Sequence, residues 1–415
     1  MQSLLTSLLL VAACSKAAAN PPFAGPDGGA AGACLGGPLL SSLGKSNLLM
    51  GASMSDQTAA AAAFDARYLY LSGGIFDGAG PCASCASGCA SKGHTCANSG
   101  GGCAWWGCYQ YDQDPPGKYS RDFVAGAKAR GEIPHFTYYQ ILQASGVSEG
   151  APEVRQAAND AAFMSRYFAD FRFFLQQIGT GQALIQVEPD FWGYAEQLGS
   201  DPHQLSAAVA SANAPDCSAE ENSVAGLGRC YLAMVRKYAP NAKVGLHGSA
   251  WAPGIDALLN KDSSVDIAGE ARKLGAFLKA VGADRGDFVT VDASDRDAGF
   301  YAASGRQTFW DPQNQTLPHF HQAFTWAGAL AVSLQLPVIF WQVPVGNAAQ
   351  GNQADHWKDN RVDYFFAHTD ELVASHVAGA FFGAGARGQT TPESDGGNLI
   401  AKMRVYAAAP RAICP

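Results

Sequence analysis

Short apolar runs alternate with stretches of helical periodicity along most of the chain. Eight runs have the length and composition of buried parallel strands. They are residues 47–53 (NLLMGAS), 67–75 (RYLYLSGGI), 133–141 (IPHFTYYQI), the start of 183–194 (ALIQVEPDFWGY), 243–249 (KVGLHGS), 288–293 (FVTVDA), 337–343 (PVIFWQV) and 376–382 (HVAGAFF). Helical patterns fall between them, at 57–66, from Ser120 as an N-cap to Gly131, and at 154–178, 230–238, 269–281, 322–334, 362–372 and 397–407. The clearest spans 154–178, where Phe163, Met164, Tyr167, Phe168, Phe171, Phe174, Leu175 and Ile178 recur at three- and four-residue steps. The segment 199–226 is expected to overhang one face of the barrel. Eight strand-then-helix units predict an α/β fold, a single (β/α)8 TIM-type barrel spanning residues 45–415, with no composition shift that would split it.

In such a barrel, strand ends converge on one face, so the polar residues there become the candidate chemistry. Glu188 and Asp190 end the fourth strand, and Asp292 and Asp295 follow the sixth. These four are the candidate catalytic residues. Glu188, flanked by Val187, Pro189, Phe191 and Trp192, is the first choice for a proton donor, and Asp292 for its partner. Asp190 ranks close to both. Alternation would place Glu188 and Asp190 on one face if extension continued through Pro189. The competing structural reading makes Asp190 or Asp295 a helix cap or a partner of Arg296.

Tyr138, Tyr139, Gln140, Trp192, Tyr194, His247, Trp251, Trp341, Gln342 and Asn347 are the candidate substrate-binding residues. The three tryptophans read equally well as stacking platforms or as core. Paired carboxylates among aromatics and amides suit glycosidic cleavage, in which one carboxyl protonates the leaving oxygen and another attacks or activates water. No metal site is expected, because His247 lacks a second ligand at metal-binding spacing. His319 and His321 fall in a loop read as surface. There is no nucleophile elbow and no phosphate loop, and no cofactor is expected.

Composition narrows the partner. A net charge of −8 without a basic cluster argues against nucleic acid, and 11% aromatic residues suit a neutral ligand such as a carbohydrate. Residues 1–14, MQSLLTSLLLVAAC, resemble a bacterial lipoprotein signal ending at a lipobox Cys14, though without a preceding Lys or Arg. The resemblance implies export, either as an outer-membrane or cell-surface lipoprotein or in secreted form, with the membrane reached only through the lipid. Residues 15–44, rich in Gly, Ala and Pro, read as a tether.

Eleven cysteines less Cys14 leave an even number, which fits a disulfide framework in an oxidising compartment. Cys82, Cys85, Cys89, Cys96, Cys103 and Cys108 crowd one insertion loop. Cys217 and Cys230 bracket a second loop, and Cys34 and Cys414 could staple the two ends of the mature chain.

Three local patterns resemble glycoside hydrolase family six, the cellobiohydrolase and endoglucanase family with a distorted barrel. They are Gln186-Val187-Glu188-Pro189-Asp190, the segment from Gly245 to Trp251, and the segment from Phe288 to Arg296. The departures concern mechanism. The segment from Tyr138 to Gly146 has no carboxylate where that family keeps its proton donor. The segment from Trp341 to Asn347 lacks the acidic motif found near the family's C-terminal end. A carboxylate ending strand four also resembles the large clan of retaining barrel glycosidases, but Val187 stands in place of that clan's Asn and strand seven offers no Glu. The reading is an exported glycoside hydrolase acting on a polysaccharide or oligosaccharide. A catalytically inactive glycan-binding surface lipoprotein is the alternative. A purely structural envelope lipoprotein is a third possibility, and it requires that the carboxylates of strands four and six not share a cleft.

Overall fold

The computed structural model describes residues 34–73, 75 and 117–414. All eight expected strands form. They are β1 (Leu49–Ala52), β2 (Ala66–Leu71), β3 (Ile133–Tyr138), β4 (Leu184–Val187), β5 (Lys243–His247), β6 (Phe288–Asp292), β7 (Val338–Val343) and β8 (Val377–Phe382). Each pairs in parallel with its sequence neighbours, and β1 pairs with β8, so the sheet closes into a (β/α)8 barrel. Closure leaves no sheet edge unpaired.

Strand alternation divides the apolar residues into two shells. Leu49, Tyr68, Ile133, Leu184, Phe288, Ile339, Trp341 and Phe381 belong to the inner cluster that fills the barrel. Met50, Phe136, Ile185, Val244, Val289 and Phe340 belong to the outer cluster, between strands and helices. A short helix, Gly36–Ser42, contributes Leu39 and Leu40 to the inner cluster together with Ile413. The tether expected through residue 44 therefore gives way, from residue 34, to chain that packs into the fold. Its apolar leucines are what bind it there. The Cys34–Cys414 disulfide joins the two ends of the described chain, with a sequence separation of 380. Replacing both cysteines with serine is expected to lower stability by about 2–4 kcal/mol, read from guanidinium unfolding under non-reducing conditions, because the crosslink restricts the unfolded chain.

Several helices differ from their sequence pattern. The pattern at 154–178 is broken into Ala151–Asn159 and Ala161–Ile178 by Asp160, whose carboxylate caps the second helix through Ala162 N and Phe163 N. The helix expected from Ser120 begins earlier, at Lys118, after Gly117 in a left-handed conformation. Ala66 starts β2 and does not extend the preceding helix, which ends at Ala61.

The segment 199–226, expected to overhang one face of the barrel, packs into the outer shell, and none of its residues lines the cleft. Its apolar residues Leu205, Ala207 and Val209 join the outer core, Asn213 and Asp216 accept hydrogen bonds from Arg172, and the Cys217–Cys230 disulfide ties it to the helix Val224–Tyr238. The lipobox Cys14 and the cysteines from Cys82 to Cys108 lie outside the described residues.

Candidate active site

One cleft of about 580 Å³ opens at the carboxyl ends of the strands. Asp190, Asp292 and Asp295 line it, together with Tyr139, Tyr194, His247, Trp251, Trp341 and Gln342 from the sequence-predicted set. The carboxylates of strands four and six thus share one cavity. That arrangement removes the condition on which the purely structural reading depended.

Asp292 is the last residue of β6, on the inward-facing parity shared with Phe288 and Thr290. His247, the last residue of β5, reaches it through Nε2, 3.1 Å from Asp292 Oδ1. The imidazole is held from behind. The Thr137 hydroxyl donates to Gln186 Oε1 at 3.2 Å, which orients the Gln186 amide so that its Nε2 faces His247 Nδ1, also at 3.2 Å. The Thr290 hydroxyl also lies 2.9 Å from Nδ1, and because the Asp292 carboxylate accepts, the Nε2–H is the donor between them. His247 is thus a fixed donor to the Asp292 carboxylate.

Asp190 lies in the first turn of the helix Pro189–Leu198 and accepts a hydrogen bond from the Tyr139 hydroxyl. Burial pushes its pKa up to about 6, against the lowering effect of the Tyr139 hydrogen bond and of His247, while Asp292 and Glu149 raise it. Beside it, the Tyr194 ring packs on the Trp251 indole with centroids 4.7 Å apart. This approach depends on Gly193, where a Cβ would stand 2.7 Å from the Trp251 ring. Asp295 pairs with Arg296 and accepts from the Tyr301 hydroxyl at 2.5 Å, as the competing structural reading expected.

Glu188 is elsewhere. Its side chain is fully buried and does not line the cleft. The strand ends at Val187, and Glu188 adopts φ 51°, a left-handed conformation that breaks the alternation on which its placement rested. Such a non-glycine residue costs on the order of 1–3 kcal/mol and is retained only where its surroundings enforce it. The carboxyl accepts from Gln140 N (2.8 Å), Ile141 N (3.1 Å) and the Tyr167 hydroxyl (2.9 Å). Burial nevertheless raises its pKa to about 8.

Four further candidates also lie away from the cleft. Tyr138 has the outward parity of β3 and donates to Asp170 at 2.6 Å. Gln140 is buried under the strand end, its backbone N–H on Glu188. Trp192 is core, with its indole N–H on the Val187 carbonyl at 2.9 Å. Asn347 is buried, its amide donating to Asp395 O and its carbonyl accepting from Ala349 N.

Other lining residues went unread in the sequence. Tyr70 donates to Gln342 Oε1, and it shares the inward parity of Tyr68 on β2, a signal that alternation could have supplied. Its partner Gln342, which the sequence does nominate, has outward parity on β7 but φ 56°, and this turn brings its amide into the cleft. Glu149, Asp256 and Arg306 come from loops without periodicity, and Tyr301 from the short helix Ala298–Ala303. Asp256 is raised to about 6, mainly by burial and then by the charge of Asp292. His319 is not a free surface residue: its Nδ1 accepts from Gln322 N and caps the helix Phe320–Leu334. Among the described residues no group of His, Cys, Asp and Glu is arranged to hold a metal ion.

No protein-family model matches this sequence, and no curated protein sequence does. Solved structures do match in fold. A modular endo-β-1,4-mannanase of glycoside hydrolase family 26 from Cellulomonas fimi aligns with TM-score 0.50 at 12% identity, covering 91% of this chain and 74% of that one. A family 5 xyloglucan-specific β-1,4-glucanase from a ruminal metagenomic library gives 0.47 at 12% identity, over 86% and 88% of the two chains. The endoglucanase Cel6 from Mycobacterium tuberculosis gives 0.30 at 14% identity, over 65% and 72%. At these identities the shared property is the (β/α)8 barrel. The resemblance to family six, read from short motifs, is the weaker match in structure and is not carried further.

Proposed function

We propose that this protein is an exported glycoside hydrolase that cleaves a polysaccharide or oligosaccharide in the cleft between β4 and β6. The observation that carries this reading is the placement of Asp190 and Asp292, from separate strand ends, in one cavity walled by Tyr139, Tyr194, Trp251 and Trp341. Asp190, with its pKa raised to about 6, is the proton donor to the leaving oxygen. Asp292, oriented by the His247 N–H, supplies the second carboxyl, as nucleophile or as base toward water. The Trp251 and Tyr194 rings form the face on which a sugar ring stacks. Disulfides of 380- and 13-residue separation fit an oxidising compartment, and carbohydrate is the proposed partner.

The test is reducing-end release from a panel of polysaccharides, with β-1,4-mannan and β-1,4-glucans first. Release from at least one glycan is expected, and tight binding without release from any would instead favour the inactive glycan-binding protein. The pH profile follows from the role of Asp190. A donor must be protonated, so kcat declines as pH rises through about 6. In Tyr139→Phe that alkaline limb moves to higher pH, because the lost hydrogen bond stabilised the carboxylate. A limb unchanged in Tyr139→Phe would remove Asp190 from the donor role.

A further inference from the structure

We propose that Glu188 is a positioning residue, a buried clamp that holds the β3 end against β4 and thereby fixes the Tyr139 hydroxyl on Asp190. The inference rests on the reading of Asp190 as the proton donor.

The geometry is reciprocal. Tyr139 and Gln140 share one peptide bond, and Glu188 and Asp190 flank Pro189. Across the gap, the Glu188 carboxyl takes the backbone N–H groups of Gln140 and Ile141, while the Tyr139 hydroxyl takes Asp190. The Glu188 N–H closes the same junction, donating to the Tyr138 carbonyl at 2.7 Å. Two side chains thus cross between the same two strand ends in opposite directions, one buried and one at the cleft. Either crossing constrains the other, because their attachment points are adjacent residues after β3 and are separated only by Pro189 after β4.

The buried crossing is held by its own surroundings. Tyr167 donates to Glu188, and the rings of Tyr138, Tyr167 and Tyr231 are fully buried around it. A glutamate with no exposure and three donors is costly to keep unless its bonds are needed. The backbone conformation of Glu188 has the same consequence: in the extended form of the preceding strand its carboxyl would point into the cleft, and φ 51° withdraws it to Gln140 and Ile141. At the cleft, Asp190 is faced by Tyr139, Tyr70, Tyr194, Glu149, His247 and Asp292. Of these, Tyr139 is the group the clamp sets in place.

The test reads Asp190 directly. Protein labelled with ¹³C at aspartate carboxyls is titrated by NMR, with the Asp190 signal assigned from its absence in Asp190→Asn. In Tyr139→Phe the carboxyl is expected to bind its proton about tenfold more tightly, the loss of a hydrogen bond to a charged group. Glu188→Gln, whose amide keeps an acceptor at Oε1 but sets an NH2 against the Ile141 N–H in place of Oε2, weakens the crossing and should move Asp190 in the same direction. The double variant should move it no further than Tyr139→Phe alone. Tyr167→Phe, which removes one of the three bonds to Glu188 and keeps the ring, is the second variant should Glu188→Gln fail to fold, and a smaller shift of the same sign is expected. Thermal destabilisation with the Asp190 titration unmoved would overturn the proposal and leave Glu188 as a purely structural group. The titration does not depend on turnover. If no glycan is hydrolysed but the shift appears, the clamp stands and the glycosidase reading falls; if Asp190→Asn is inactive but no shift appears, the reverse holds.

Discussion

Asp292→Asn is expected to lower kcat by about 10²–10⁴ while leaving the fold and glycan affinity close to those of the wild type. Asparagine preserves the size of the side chain and still accepts the His247 Nε2 hydrogen at the 3.1 Å contact, so the barrel end is not disturbed. It cannot take a proton from water or form a glycosyl ester, so either route to the second carboxyl's function is closed. His247→Gln should cost less, since it removes the orienting donor and leaves the carboxylate. Activity assays on the hydrolysed glycan, with affinity measured by calorimetry, check both. A loss of binding equal to the loss of turnover would instead make Asp292 a substrate ligand.

The largest effect on stability is expected from Arg361→Ala, about 3–5 kcal/mol by denaturant unfolding, because it leaves a buried carboxylate without its countercharge. Arg361 and Asp359 are both fully buried, with Nη1 2.7 Å from Asp359 Oδ2. The guanidinium lies 4.3 Å over the Trp310 ring and its Nη2 donates to Thr308 O at 3.1 Å. Asp359 in turn accepts from Ala298 N, and neighbouring Asp297 accepts from Gly346 N and Thr390 N. Burial and then the Asp359 charge raise Asp297 to about 7. The network joins the loops that follow β6, β7 and β8, one of which carries Asp295 and Arg296 at the cleft. Arg361→Ala should therefore lower activity as well as stability. Arg361→Met, which fills the volume without charge, still strands Asp359 and should restore little.

The barrel was legible because its signal is repeated. Eight apolar runs each reappear as a strand, and in a closed parallel sheet burial on both faces makes such runs continuous. The site was legible in part, where strand parity holds. His247, Asp292 and Trp341 stand at inward positions of regular strands, and the cleft receives all three. Parity fails at strand ends where φ becomes positive. At Glu188 a left-handed residue turns a carboxyl out of the cleft, whereas Gln342, also at positive φ, reaches the cleft as expected although its strand parity is outward. Neither is glycine, so composition gives no warning of either turn. Tyr139, directly after β3, keeps the inward parity, whereas Tyr138 has outward parity and Trp192 lies on the buried face of the helix after β4. Asp256 and Glu149 come from loops, where no period exists from which to read direction.

The most direct measurement is the fate of solvent oxygen. A soluble oligosaccharide from the glycan that gives reducing ends is incubated with the protein in water enriched in heavy oxygen, and the products are analysed by mass spectrometry. Hydrolysis through Asp190 and Asp292 predicts one heavy oxygen per cleavage, at the new reducing end, with the other fragment unlabelled at its new non-reducing end, and both product and label reduced in step with kcat in Asp292→Asn. Cleavage without incorporated label, or labelled cleavage that persists unchanged in Asp292→Asn, would contradict the account.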